Sequence, residues 1–197
     1  MAIIIIETHR VNLGLLVPQE HGLMQRYLDL NADHLAPWEP TREPDYASEH
    51  EIVMRIKNTL LAFKRQSALH FVLFNKTNDE VIGVCNFSNI VRGATQACHL
   101  GYAISVSHQG QGLMHDALTA AIDYLFSRLK LHRIMANYIP TNTRSEKTLL
   151  KLGFQKEGCA RSYLKIAGRW QDHILTALIN PADKVQTSDG EGKGGKD

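Results

Sequence analysis

The stretch His108-Gln-Gly-Gln-Gly-Leu-Met-His-Asp-Ala-Leu-Thr-Ala-Ala-Ile-Asp-Tyr-Leu125 decides the fold. Two glycines, Gly110 and Gly112, lead into an apolar stripe at Met114, Ala117, Leu118, Ala121 and Leu125. That is the i, i+3, i+4, i+7, i+11 spacing of one helix face. A tight glycine turn feeding a helix leaves backbone N–H groups unpaired at the helix start. Together with the positive end of the helix dipole, those donors make an anion site suited to phosphate. Glycine at both positions removes the Cβ atoms that would hold a diphosphate away from the amides.

Two familiar phosphate loops are excluded by the residues themselves. The chain contains no Gly-x4-Gly-Lys-Ser/Thr run. A dinucleotide fingerprint needs a third glycine where this sequence has His115. What remains is Gln109-x-x-Gly112-x-Met114, preceded by the strand-like Leu100-Gly-Tyr-Ala-Ile-Ser-Val106.

Outward from that loop, Arg10–Val17 reads as a first strand stopped by Pro18, and Gln19–Leu35 has helical spacing. Pro37 and Pro40 make Ala36–Pro40 an irregular loop. Tyr46–Phe63 reads as a second helix, with apolar residues at Ile52, Ile56, Leu60 and Phe63. Leu69–Phe74 and Val81–Phe87 are strands joined by a polar turn, and Ala97–Val106 is the strand that enters the glycine loop. Arg133–Tyr138 is a strand closed by Pro140. Asn142–Leu152 is a short helix capped by Asn142 or Thr141 and ended by Gly153. Phe154–Ile166 and Gln171–Ile179 form a closing hairpin. The order predicts one mixed α/β sheet in a single domain, 1–182, followed by a disordered polar tail, 183–197.

Composition narrows the function classes. At 197 residues, 44% hydrophobic and 21% charged, the chain has the make-up of a soluble globular domain. A net charge of +2 without a Lys/Arg-dense block gives no nucleic-acid motif. No apolar run reaches membrane-spanning length, and Ile3–Ile6 is too short for a signal-peptide core. Cys85, Cys98 and Cys159 are odd in number and far apart, which fits reduced thiols in a cytoplasmic protein. His108 and His115 flank the turn without the spacing of a metal site, so no metal is expected.

The loop resembles the acetyl-CoA loop of the GNAT acetyltransferases, Gln/Arg-x-x-Gly-x-Gly/Ala. Met114 departs at the last position and resembles the variant of the ribosomal-protein branch. A second landmark, Asn142-Thr-Arg-Ser145 through Leu149-Leu-Lys-Leu-Gly153-Phe154, resembles the family's later helix. Trp38-Glu-Pro40, Asn86-Phe-Ser-Asn-Ile-Val-Arg-Gly93, His132–Tyr138 and Trp170-x-Asp-His173 resemble the branch that acetylates an N-terminal alanine of a small-subunit ribosomal protein. The resemblance implies a mostly antiparallel central sheet, splayed at the acetyl-CoA site and flanked by about four helices. It implies acetyl-CoA as cosubstrate, with a ribosomal protein N-terminus or the ribosome as partner. Two readings stay open beside it: the same chemistry on another protein or a small amine, and an acyl-CoA-binding factor for ribosome assembly.

Direct transfer asks for a held thioester, a polarised carbonyl, a neutral amine and a proton for the departing thiolate. Gln109, Gly110, Gln111, Gly112, Leu113 and Met114 would supply amides to the diphosphate, with Asn142 on the pantetheine. A backbone N–H from Ile104, Ser105 or Val106 would polarise the carbonyl. The carboxylate that related enzymes often place before the tyrosine of the Tyr163 strand is replaced by Ser162, and the helix tyrosine by Leu149. Glu39 is therefore the candidate for gripping the amine, against a plain solvated loop charge. Ser145 is the candidate acid, against a helix cap, with Tyr138 in reserve. Trp38, Asn86, Asp172 and His173 are candidate walls of the acceptor pocket. An α-amine has a reference pKa of about 7.7–8.0, so roughly a tenth is neutral at pH 7, against about one lysine in a few thousand. Such an acceptor demands little of a base.

Overall fold

The computed structural model describes residues 1–184. Eight strands form one sheet: β1 (Ile3–Glu7), β2 (Asn12–Leu15), β3 (Leu69–Phe74), β4 (Val81–Val91), β5 (Ala97–Ile104), β6 (Arg133–Tyr138), β7 (Gln155–Ile166) and β8 (Arg169–Ile179). Their spatial order is β1-β2-β3-β4-β5-β6-β8-β7. Every neighbouring pair is antiparallel except β5–β6. That parallel step needs a crossover, and the helix after the glycine loop supplies it.

Among the described residues five helices accompany the sheet: α1 (His21–Leu35), α2 (Glu49–Arg65), α3 (Leu113–Arg128), α4 (Thr143–Lys151) and the single turn α5 (Pro181–Lys184). Alternation along β3 separates two cores. Leu69, Phe71 and Leu73 face the α3 side, where Ala117, Leu118, Ala121 and Leu125 are fully buried. Val72 and Phe74 face the other way, onto Tyr27, Leu28 and Leu35 of α1 and Ile52 and Ile56 of α2. The stripe read from Met114 to Leu125 is the buried face of α3. Ser48 caps α2 by accepting from the Glu51 N–H, and Gln66, with φ 53°, turns the chain out of it.

Four local expectations are corrected. Ile3–Glu7, unassigned by periodicity, is an edge strand; its residues are mostly half-buried and so lack a clean alternating pattern. The strand expected over Arg10–Val17 contracts to Asn12–Leu15, because the Thr8 hydroxyl donates to the Val11 carbonyl and turns the chain before it. Ala36–Trp38 forms one 3-10 turn inside the proline loop. Asp183 and Lys184 belong to α5, and the Asp183 carboxylate meets His132 Nδ1 at 2.7 Å. The rest of the predicted tail, 185–197, lies outside the described residues. Among the described residues no helix is long and apolar enough to cross a membrane.

Leu118 is fully buried at the centre of this packing, whereas Leu30 on α1 is 69% exposed. Leu118→Ala is expected to lower unfolding free energy by about 2–5 kcal/mol in urea titration. Leu30→Ala is expected to stay within about 0.5 kcal/mol.

Candidate active site

The parallel pair β5–β6 holds register from Ala97↔Arg133 to Leu100↔Ala136 and then parts. Beyond that point β5 stays with β4 as far as Gly83↔Ile104, and β6 stays with β8 as far as Tyr138↔Ile174. A wedge opens between Gly101–Ile104 and Asn137–Tyr138. The donors at its edge can be sorted by their partners. The Ser105 N–H donates to the Ile82 carbonyl at 2.8 Å. The Val106 N–H donates to Asn31 Oδ1 at 2.9 Å. Strand alternation then turns the Ile104 N–H away from β4 and into the wedge. Of the three expected candidates, Ile104 is the one facing the gap.

The glycine loop follows. Val106–His108 makes a 3-10 turn. Its last bond takes the Gln109 N–H back to the Val106 carbonyl, at 3.4 Å. Gly110 and Gly112 both lie in the left-handed region, at φ 73° and 75°. An L-residue at either would be strained, and a Cβ on Gly112 would also sit 3.1 Å from Arg10 Nη2. α3 begins at Leu113 with no side-chain cap, and its first internal bond is Asp116 N–H to the Gly112 carbonyl. The amides of Leu113, Met114 and His115 therefore precede the helix's own ladder. Arg10 braces the loop from outside, with Nη1 2.7 Å from the Gln111 carbonyl and Nε 2.6 Å from Asp116 Oδ2.

A cleft of about 630 Å³ joins wedge and loop; it is lined by Ile104, Gln109, Gly110, Gly112, Leu113, Met114, Asn142 and Ser145 among others. Gln111, Ser105 and Val106 are outside that lining. α4 forms the opposite wall. Asn142 Oδ1 accepts from the Ser145 N–H at 3.1 Å, so its carbonyl caps the helix. The Ser145 hydroxyl lies 2.8 Å from the Tyr102 hydroxyl. Burial pushes the Tyr102 phenol up to about 12, against a lowering by its bonds to Ser145 and Thr148, which keeps it protonated. Leu149 is core. Tyr138 is also core: its hydroxyl donates to Glu146 Oε1 at 3.0 Å, and it lies outside the cleft lining.

A second pocket, about 450 Å³, lies over β3 and β4 beneath α1 and α2, and Glu39 and Asn86 border it. Glu39 is ion-paired with Arg42, and its carbonyl accepts from the Ala167 N–H of the β7–β8 turn at 2.9 Å. Trp38 lines the larger cleft instead. Asp172 Oδ1 accepts from the Ser162 N–H at 2.8 Å, holding the β7 irregularity where Ser162 has φ 46°. His173 is buried, with Nδ1 3.0 Å from the Gln171 carbonyl and its ring 5.6 Å from that of Tyr163. Neither residue lines either pocket.

Sequence reasoning missed Asn31, Tyr102 and the basic face of α4. Arg144, Lys147 and Lys151 all line the cleft, and their i, i+3, i+7 spacing was a readable signal. Asn31 and Tyr102 gave none, since their roles arise from contacts 75 and 43 residues away. Uncapped amides, left-handed glycines and a row of cations make a donor set that fits a diphosphate.

This geometry coincides with a family match. The model for the acetyltransferase (GNAT) domain covers residues 14–155, and the chain belongs to the GNAT acetyltransferase family. It is 45% identical over 174 residues to the [ribosomal protein uS5]-alanine N-acetyltransferase of Escherichia coli K12, covering 88% of this chain and 90% of that one. The crystal structure of ribosomal-protein-S5-alanine acetyltransferase from Vibrio fischeri matches with a TM-score of 0.85 and 38% identity, over 92% of this chain and 97% of that chain. Mycobacterium smegmatis RimJ in complex with CoA-disulfide matches with a TM-score of 0.80 and 26% identity, over 93% and 85%.

The Arg10 brace has a pH signature. The hydrogen bond from Arg10 first, and its charge after it, hold the Asp116 carboxyl below the usual Asp range. The brace is complete above the ordinary carboxylate pKa and is lost as pH falls through the depressed value. Arg10→Ala is expected to speed hydrogen exchange at the Asp116 amide, which makes the first bond of α3, at neutral pH. The wild type is expected to reach that loosened state only in acid, after correction for intrinsic exchange rates.

Proposed function

We infer that this chain transfers the acetyl group of acetyl-CoA directly to the N-terminal α-amine of a protein, with alanine first and a ribosomal protein as acceptor. The observation that carries the chemistry is the wedge, where one strand amide, Ile104 N–H, faces the gap beside the uncapped start of α3. The acceptor class is supported by the 45% identity to the Escherichia coli enzyme across 90% of its length. A cytoplasmic location accords with that acceptor.

The cosubstrate brings an activated acyl group as a thioester. Gly110, Gly112, Leu113 and Met114 hold the diphosphate through their amides, and Arg144, Lys147 and Lys151 add positive charge along the cleft. The Asn142 side-chain amide is turned to the pantetheine arm while its carbonyl caps α4. Ile104 N–H serves as the fixed donor to the thioester carbonyl, an oxyanion-hole role. Ser145 delivers the proton to the departing sulfur, the Tyr102 hydroxyl beside it passes its own proton to Ser145, and the proton shed by the acylated amine, exchanged through solvent, restores Tyr102. Glu39 meets the incoming amine at the mouth of the second pocket, with Asn86 on its floor. Trp38, lining the cleft just before Glu39, walls the approach.

The test is release of free thiol from acetyl-CoA in the presence of short peptides. Alanine-starting peptides are expected to be acetylated at the terminus, with polyamines and lysine side chains inert. The rate is expected to climb with pH toward about 8 as the neutral α-amine fraction grows. Ser145→Ala is expected to lower kcat by about 100-fold, and Tyr102→Phe by less. Turnover on lysine side chains or small amines, with alanine-starting peptides inert, would reject the acceptor assignment. Tight coenzyme A binding without turnover on any amine would favour the assembly-factor reading.

A further inference from the structure

The pocket bordered by Glu39 and Asn86 has an excess of hydrogen-bond donors. Arg55 Nη2 and the Tyr27 hydroxyl are both buried and have no hydrogen-bond partner among the described residues. Tyr27 is 3% exposed. Buried polar groups are nearly always paired, so two orphans in one cavity point to a missing acceptor. The Arg55 guanidinium is held over the Tyr46 ring, its central carbon 3.8 Å from the centroid, and Arg42 lies over the same ring at 4.4 Å. Stacking fixes the plane of Arg55 while leaving its in-plane N–H groups free to grip.

The charges agree. Among the described residues, Arg42 and Arg55 are balanced within the lining by Glu39 alone, which pairs with Arg42. His70 adds nothing at neutral pH, because burial lowers its pKa despite the opposing bond with Asn86. Burial raises the Tyr27 phenol above its ordinary value, so it remains a donor. One positive charge is left over, on a residue with a free donor. The remaining lining includes the apolar Leu16, Met24, Leu28 and Ile56. The complementary ligand is a carboxylate on a short aliphatic stem.

We propose that this pocket takes the carboxylate of an Asp or Glu side chain lying shortly behind the acceptor's N-terminal residue, with Arg55 and Tyr27 as its donors. The proposal rests on the N-terminal transfer reading, since Glu39 and Asn86 are shared between the amine's approach and this pocket. It makes the enzyme selective for acidic N-terminal segments, a preference read through a planar guanidinium that suits a two-oxygen acceptor.

Alanine-starting peptides carrying a single Glu at the second, third, fourth or fifth position, each with a Gln counterpart, test this directly. Wild type is expected to favour Glu over Gln by tenfold or more in kcat/KM at one position, with most of the difference in KM. Arg55→Gln and Tyr27→Phe are each expected to shrink that ratio, Arg55→Gln to near one. Tyr27→Phe removes a hydroxyl that has no partner, so its thermal midpoint is expected to match or exceed wild type, which separates recognition from misfolding. Ratios near one at every position in wild type, on peptides that do turn over, would overturn the proposal. So would an acidic preference that both variants keep in full. If no alanine-starting peptide turned over, the transfer reading would fall. Calorimetric binding of the Glu and Gln peptides to the coenzyme A-loaded protein would then still decide for or against the pocket.

Discussion

The early end of the β5–β6 pairing is the constraint on which the rest depends. A parallel pair that continued past Leu100 and Ala136 would satisfy Ile104 N–H within the sheet and close the floor of the cleft. Instead each strand remains loyal to its antiparallel partner, β5 to β4 and β6 to β8, and the sheet divides between them. Antiparallel ladders are slightly more stable per residue than parallel ones, so the parallel seam is where a twisted sheet yields most readily. The division is kept in place by side chains: Asn31 ties α1 to the end of β5, and Tyr102 ties β5 to α4.

The neighbourhood of the wedge is built from polar residues that satisfy backbone and leave other backbone free. Asn31 is 2% exposed; its carbonyl takes the Val106 N–H and its amide donates to the Tyr27 carbonyl at 2.7 Å. Asn142 does the same service at α4, and Arg10 at the far side of the glycine loop. Each removes a competing donor or acceptor from the cleft edge. What stays unpaired is the set a diphosphate and a carbonyl oxygen require, Ile104 N–H and the first amides of α3. Fixed donors of this kind need no reorganisation when charge develops, which is why backbone is suited to the task.

Much of this architecture was legible along the chain. Leu69–Phe74 and Arg133–Tyr138 appear with the boundaries their apolar patterns predict, because both are central strands with strongly patterned faces. α3 follows its stripe for the same reason. Ile3–Glu7 was not legible, since an edge strand has only one neighbour and little need for alternation. At the site, the glycine turn ahead of α3 and the Asn142 cap of α4 could be read locally. Trp38 could not be assigned to its cavity, and Asp172 proved to brace a strand irregularity, because a side chain's direction depends on how distant elements meet.

The sequence by itself determined most of the element order, the glycine loop ahead of α3 and the family, because each is written in short-range spacing: glycines before a helix, apolar residues on one face, an asparagine before Ser145. Only the tertiary structure decided which amide faces the gap, which hydroxyl stands behind Ser145, and that Arg55 and Tyr27 share a cavity with Glu39. Those facts depend on residues far apart in the chain being brought together by the sheet. Local spacing carries no record of such meetings; strand register and helix packing do.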